Sequence, residues 1–209
     1  MDIKSALALF VIRCLGLMNL RVARSFGGFL AWMMRISNSR MLKVTVKNIA
    51  LCFPEKSEQQ RAELAKESIN ETCKTISETG IAWAGTEQKF RHNEQQVVSV
   101  KNMHLFDKAV SDGKGLLLLT MHHGNWEWVT SFLPRRCDLM ALYKMAKMPG
   151  LEAAMLAARS SSGMKMVPGN REGVADFIKQ YKSKKACIIA PDQEPSEKSG
   201  VWSEFFGIP

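Results

Sequence analysis

The sequence predicts an α/β protein, a mostly parallel sheet flanked by helices, preceded by an N-terminal membrane-associated helix. Short apolar runs recur after residue 114, with helical patterns between them. Alternation of that kind makes parallel strands joined by crossover helices. Before it, residues 3–36 are largely apolar, carry several arginines and contain no acid. The 209 residues are 46% hydrophobic and 23% charged, enough for one packed domain and too apolar for a disordered chain.

In the first segment Ala6, Leu7, Phe10, Cys14, Leu17 and Leu20 recur at helical spacing. Arg13 interrupts its most apolar part, so no uncharged run reaches the ~18–20 residues of a bilayer-spanning helix. No small-residue cleavage site follows a clean apolar core, which argues against a removed signal peptide. Arg13, Arg21 and Arg24 can reach lipid phosphates while the apolar stripe enters the acyl boundary. An amphipathic core helix would show the same stripe. The basic flank favours the membrane, at the cytoplasmic face of an inner membrane. Residues 1–36 are therefore read as a membrane-associated segment, lying in the interface or spanning at a tilt, and residues 37–209 as the globular domain.

Ser37-Asn38-Ser39-Arg40 is polar punctuation. A short helix follows to about Cys52, then a turn at Phe53-Pro54-Glu55. Ser57 and Gln60 have the spacing of a capping box. Ala62, Ala65, Ile69, Cys73, Ile76 and Trp83 carry the stripe of the helix behind it. Gly115 to Thr120 reads as a strand covered on both faces. A helix from about Asn125 to Leu133 and a strand over Leu139 to Tyr143 come next. Pro149 opens a helix that runs through Arg159 and stops at Gly163. Met164 to Pro168 is a third strand, Glu172 to Lys182 a helix, and Ala186 to Ala190 a fourth strand. The chain stops at Phe205-Phe206-Gly207-Ile208-Pro209, soon after that strand, which reads as a domain lacking its last strands and helices.

Lys and Arg number 29 against 20 Asp and Glu, giving a net charge of +9. That balance calls for an anionic partner: nucleic acid, an anionic membrane, or an acidic protein or substrate. Only two Tyr occur, with no aromatic-basic interleaving, which argues against single-stranded nucleic acid. Five cysteines, none in a CxxC pair, argue against a disulfide framework and a zinc ribbon.

The chemistry concentrates in Thr120-Met121-His122-His123-Gly124-Asn125-Trp126-Glu127, where a buried strand ends and a helix begins. Ligands of open α/β sheets collect at the carboxyl ends of strands. Five helical positions rotate by about 500°, so His122 and Glu127 cannot pair from within one helix. They can pair if His122 lies on the turn and Glu127 in the first helical turn. Gly124 and Asn125 supply that turn, Asn125 as N-cap. A His–carboxylate dyad results, His122 taking the proton of an attacking hydroxyl and Glu127 fixing its tautomer. Free N–H groups at the helix start would hold an oxyanion. No G-x-S-x-G elbow is present, so transfer would be direct, without an acyl-enzyme. Spacing alone serves a second reading equally well: a histidine satisfying backbone carbonyls, and a glutamate at an exposed helix start serving only the dipole. A third reading makes His123 and Glu127 metal ligands at i and i+4, with His92, His104 or Asp192 completing the set. No HExxH is present, and the reading kept here has no metal.

The chain resembles the lipid A biosynthesis late acyltransferases, the lauroyl and myristoyl acyltransferase family of Gram-negative bacteria. Four blocks carry the resemblance: Asn48-Ile49 through Cys52-Phe53-Pro54-Glu55; Gly115 to Glu127, with the His-x4-acid motif as His122 and Glu127; Tyr143-Lys144 to Arg159 and Gly163; and Asp192-Gln193 with Gly200-Val201 and Phe205-Phe206-Gly207. The family usually continues for about a further third, in keeping with a domain cut short. The resemblance implies a membrane-bound enzyme at the cytoplasmic face of the inner membrane. It would move a fatty acyl chain from acyl carrier protein to a hydroxyl of a phosphorylated glucosamine disaccharide lipid, with no cofactor. Residues 37–209 are then the acyltransferase domain, His122 the general base and Glu127 its partner.

Arg159 matches the family arginine, read either as a clamp on acceptor phosphate or donor phosphopantetheine, or as a cation at a helix C-terminus. Asp192 is read as orienting Arg159 or the acceptor, or as a turn residue; Asn125 joins them as a substrate-binding candidate. Trp126 is expected to pack against the sheet. Lys144 and Lys147 are read as a solvated face with phosphate contact as the other choice, and Lys182, Lys184 and Lys185 as solvated. Rival functions are acylation of a lysophospholipid or another glycolipid by the same dyad, an inactive membrane-binding fragment, and a metal-dependent hydrolase.

Overall fold

Asn19 divides the apolar N-terminal run. Its side chain accepts a hydrogen bond from the Val22 amide at 2.9 Å and starts a new helix. The expected single segment is therefore two helices in the computed structural model: α1 (Ile3–Leu17) and α2 (Leu20–Ile36). The structure describes residues 3–83, 91–92, 95, 97, 99–146, 148–193 and 203–208. Lys147, Gly200 and Val201 lie outside the described residues. Among the described residues no helix is long and apolar enough to cross a membrane.

Ser39 caps α3 (Arg40–Cys52) through the Leu42 amide. The capping box before α4 (Glu58–Trp83) forms as the sequence predicts: Gln60 N donates to Ser57 Oγ at 3.2 Å, and Ser57 N to Gln60 Oε1 at 2.9 Å. The α4 stripe differs from the expected one. Ala65, Ile69, Cys73 and Ser77 point inward, while Ala62 and Ile76 are exposed. The strict four-residue step puts Ser77 rather than Ile76 on the buried side, and its hydroxyl donates to the Cys73 carbonyl at 2.9 Å.

After α4 come α5 (Met103–Ser111), β1 (Leu116–Leu119), α6 (Glu127–Phe132), β2 (Leu139–Tyr143), α7 (Pro149–Ser161), β3 (Lys165–Pro168), α8 (Arg171–Lys182) and β4 (Ala186–Ile189). The four strands make one sheet in the order β1-β4-β2-β3, and every ladder is parallel. The predicted α/β class with a parallel sheet is what the chain builds.

Two compact units divide the chain, residues 1–17 with 79–192, and residues 18–78 with 193–209. The sheet unit buries Leu139, Ala141, Met164, Ala186 and Ile188 on one face, with Leu116, Leu118, Val129 and Leu133 packed against them. Helix α8 lies along β2, β3 and β4. On that side Phe177 is buried, and the Cys187 thiol meets its carbonyl at 3.5 Å. Helix α1 packs on α7. The reading of β1 as covered on both faces is corrected. Among the described residues β1 is an edge strand, and Leu117 and Leu119, on the face away from α6, are 47% and 70% exposed.

The second unit centres on Ala31, Ile69 and Cys73, joined by Leu30, Met34 and Leu42. Gly27 lets α2 touch the α4 backbone: a Cβ there would stand 2.7 Å from Lys74 Cα. Arg24 Nε donates to the buried Glu78 carboxylate at 2.6 Å, so this arginine is engaged within the protein. Phe53 meets Phe206 edge-on, centroids 5.3 Å apart, bringing together the first and fourth sequence blocks. All five cysteines are free thiols.

Candidate active site

Strand order decides which groups meet. β1 and β4 are neighbours, and their ladder continues past the named strands, Thr120 N donating to Ile189 O at 3.0 Å. The chain after β1 therefore leaves the sheet beside the chain after β4. His122 stands on the first and Asp192 on the second.

The Asp192 carboxylate takes both hydrogen bonds that His122 can give it. The His122 amide donates to Oδ2 at 2.6 Å, and the ring Nδ1 lies 2.8 Å from Oδ1. An ionised carboxylate only accepts, so Nδ1 carries the proton, and in the neutral imidazole Nε2 is then the acceptor. Partial burial pushes the Asp192 carboxyl up, but the backbone and ring hydrogen bonds from His122 outweigh it and hold the group below the usual carboxylate range. Trp126 meets the His122 ring edge-on, with centroids 5.0 Å apart. This contact restricts imidazole rotation.

Glu127 opens α6, as the sequence predicts, but it is not exposed there. Only 4% of it is accessible. Arg159, in the last turn of α7, binds it with two donors, Nη2 to Oε1 at 2.6 Å and Nε to Oε2 at 3.2 Å. Such a fork matches the planar carboxylate. Among the described residues no hydrogen bond joins His122 to Glu127. The four candidates form two pairs, His122 with Asp192 and Arg159 with Glu127. Asp192 does not orient Arg159.

The turn is built as expected around Gly124, whose φ of 60° is left-handed. Asn125 lies one residue ahead of the cap position, which is Trp126, and its Oδ1 accepts from the Glu127 amide at 3.2 Å. The Trp128 and Val129 amides turn back to the Asn125 and Trp126 carbonyls. These three N–H groups are used inside the turn and so are not the ones open to an oxyanion. Among the described residues no group of three His, Cys, Asp or Glu side chains is placed to hold a metal ion. Lys185 is not merely solvated: with Lys165 it grips Asp138, at 2.7 Å each, where β2, β3 and β4 begin.

The pairing of His122 with Asp192 spans 70 positions, and no local spacing could reveal it. The available signal was that both residues follow apolar strands. Glu152, which the sequence reading left unused, bonds Tyr143 and the Ala146 amide near the same end of the sheet.

Comparison with known proteins agrees with the sequence blocks. The family described as bacterial lipid A biosynthesis acyltransferase matches residues 3–209. The chain is similar to the lipid A biosynthesis acyltransferase of Haemophilus influenzae, 23% identical over 81% of this chain and 52% of that one. It is also similar to two Escherichia coli proteins, the lipid A biosynthesis palmitoleoyltransferase (23% identical) and lauroyltransferase (24%), each over 81% of this chain and 53% of theirs. The chain thus spans about half the length of the curated relatives it matches.

Proposed function

The chain belongs to the bacterial lipid A biosynthesis acyltransferase family, and from that membership we propose that it forms the catalytic part of an enzyme acylating a lipid A precursor. The donor is an acyl thioester on acyl carrier protein. The acceptor is a hydroxyl of a phosphorylated glucosamine disaccharide lipid. No cofactor takes part. Work proceeds at the cytoplasmic face of the inner membrane, with residues 1–36 at the lipid surface.

The observation that carries this reading is the His122–Asp192 pair at the carboxyl ends of neighbouring strands. Asp192 holds the proton on Nδ1 and faces the imidazolium that forms. Nε2 accepts the acceptor's hydroxyl proton as the oxygen attacks the thioester carbonyl. The C–S bond breaks, an ester C–O bond forms, and His122 returns the proton to the leaving thiolate. Glu127, the expected partner of His122, instead holds Arg159, and the pair braces α6 behind the histidine turn. The net charge of +9 suits an acidic carrier protein and an acceptor bearing phosphates.

The test is mass spectrometry of lipid A from the source cell with the gene intact, with His122→Ala, and with Asp192→Asn. Both variants should lose the mass of one or two acyl chains. In vitro, each should lower the transfer rate by about 10²–10⁴-fold, the usual worth of a positioned general base. Unchanged lipid A, with the protein present in the membrane fraction, would move the activity to another lipid acceptor. Full activity of Asp192→Asn would remove Asp192 from the mechanism.

A further inference from the structure

Helix α7 turns one face toward two loops. Arg159 on it grips Glu127 behind the histidine turn. Glu152, seven residues earlier, lies on nearly the same face, because seven helical steps come within about 20° of whole turns. Each Glu152 oxygen has its own donor: Tyr143 Oη donates to Oε1 at 3.2 Å and the Ala146 amide to Oε2 at 3.0 Å. The two donors bracket Lys144 and Met145, both exposed, where the chain leaves β2. From the other side the Gly169 amide holds the Tyr143 carbonyl at 2.8 Å.

This loop sits beside the proposed centre. β2 neighbours β4, and Ala141 pairs with Ile188. Because these neighbouring strands are parallel, the chain after β2 leaves the sheet at the same end as the chain after β4, which carries Asp192. A cation bracketed at such a place meets a substrate anion without first ordering its own loop.

Resting on the function proposed above, we propose that Glu152 is a positioning residue: it fixes residues 143–146 at the end of β2 so that Lys144 stands ready for a substrate phosphate. The acceptor's phosphates and the phosphate of the donor's prosthetic arm share this chemistry.

The test compares wild type, Glu152→Ala, Glu152→Gln and Lys144→Ala, using acyl carrier protein donor and the disaccharide lipid acceptor with and without its phosphates. Glu152→Ala and Lys144→Ala should each raise one KM about tenfold or more, the range of a lost charge-assisted contact, with kcat changed little. Glu152→Gln, which still offers an oxygen to the Ala146 amide, should recover most of the loss. A KM rise confined to the phosphorylated acceptor identifies the acceptor as the source; a rise confined to the donor identifies the donor. A fall in kcat at unchanged KM, or equal KM rises on both acceptors with no change for the donor, overturns the proposal. Hydrogen exchange gives a second reading: the Ala146 amide should exchange faster in Glu152→Ala while the β4 amides stay protected. Unchanged Ala146 exchange removes Glu152 from this role. If wild type acylates neither acceptor, the function above fails by itself. Inorganic pyrophosphate then probes the loop, and equal binding by wild type and Lys144→Ala sinks this proposal too.

Discussion

Glu127 illustrates how neighbours decide a residue's task. Chain position places it in a first helical turn, where a carboxylate ordinarily serves the dipole and faces water. Here it is buried against a two-pronged guanidinium, and the loss of either partner strands a charge. Glu127→Ala should therefore cost about 3–5 kcal/mol of stability, in place of the intact fold expected of an exposed site. Urea denaturation would read this, and a variant as stable as wild type would refute it. Replacing both partners together, Glu127→Leu with Arg159→Met, should recover much of the loss, because no lone charge remains. The local half of this site was legible in the sequence: the turn at Gly124, the histidine on it, the acid opening the helix. The partners were not, since each pair joins residues 32 or 70 positions apart and depends on strand order.

Among elements, the strands and the helices between them follow the predicted pattern because apolar runs, Pro149 and Gly163 act locally. Helix α5 went unread although Met103, Phe106, Ala109 and Val110 form its inward row; its start is marked only by Asn102, held at a left-handed φ of 58°. β1 misled because four consecutive leucines look alike whether one face or both are covered. Helix α8 depends on Gly173, where an added Cβ would overlap the Pro168 carbonyl. Gly173→Ala should push α8 off β3 and lower stability by about 1–3 kcal/mol, read as a drop in Tm. The opening ends of β2, β3 and β4 are tied through Asp138, whose carboxyl Lys165 and Lys185 hold down at about 2 from an ordinary 3.8. A depressed folded value means that the unfolded chain binds more protons. Its stabilisation is thus complete above pH about 4 and lost as pH falls through about 2. Asp138→Asn should flatten the stability–pH slope across that window; an unchanged slope would contradict the assignment.

For the molecule as a whole, the function proposed above gives charge and exposed apolar surface one shared partner, the lipid surface. Along α2, Phe29, Trp32, Met33 and Ile36 are each about half exposed or more, at helical spacing, with the Phe29 and Trp32 rings stacked at 5.8 Å. Aromatic residues of that kind anchor at the headgroup boundary, and basic charge favours anionic lipid. Phe29→Ser with Trp32→Ser should weaken co-sedimentation with anionic vesicles by about tenfold or more, and added salt should weaken what remains. Equal pelleting of variant and wild type would remove this row from the proposed membrane contact. The sequence marked residues 1–36 as membrane-associated but placed the stripe at Ala6 to Leu20, ahead of this row.

The interval between Glu152 and Arg159 carries a lesson about tolerance to insertions and deletions. One residue added between them would swing the two side chains about 100° apart, so α7 could keep its hold on only one of its loops. A residue added at the exposed turn around Gly113, before β1, would simply bulge into solvent. Drift can alter other exposed positions of α7, but it must keep Glu152, Arg159 and the count between them.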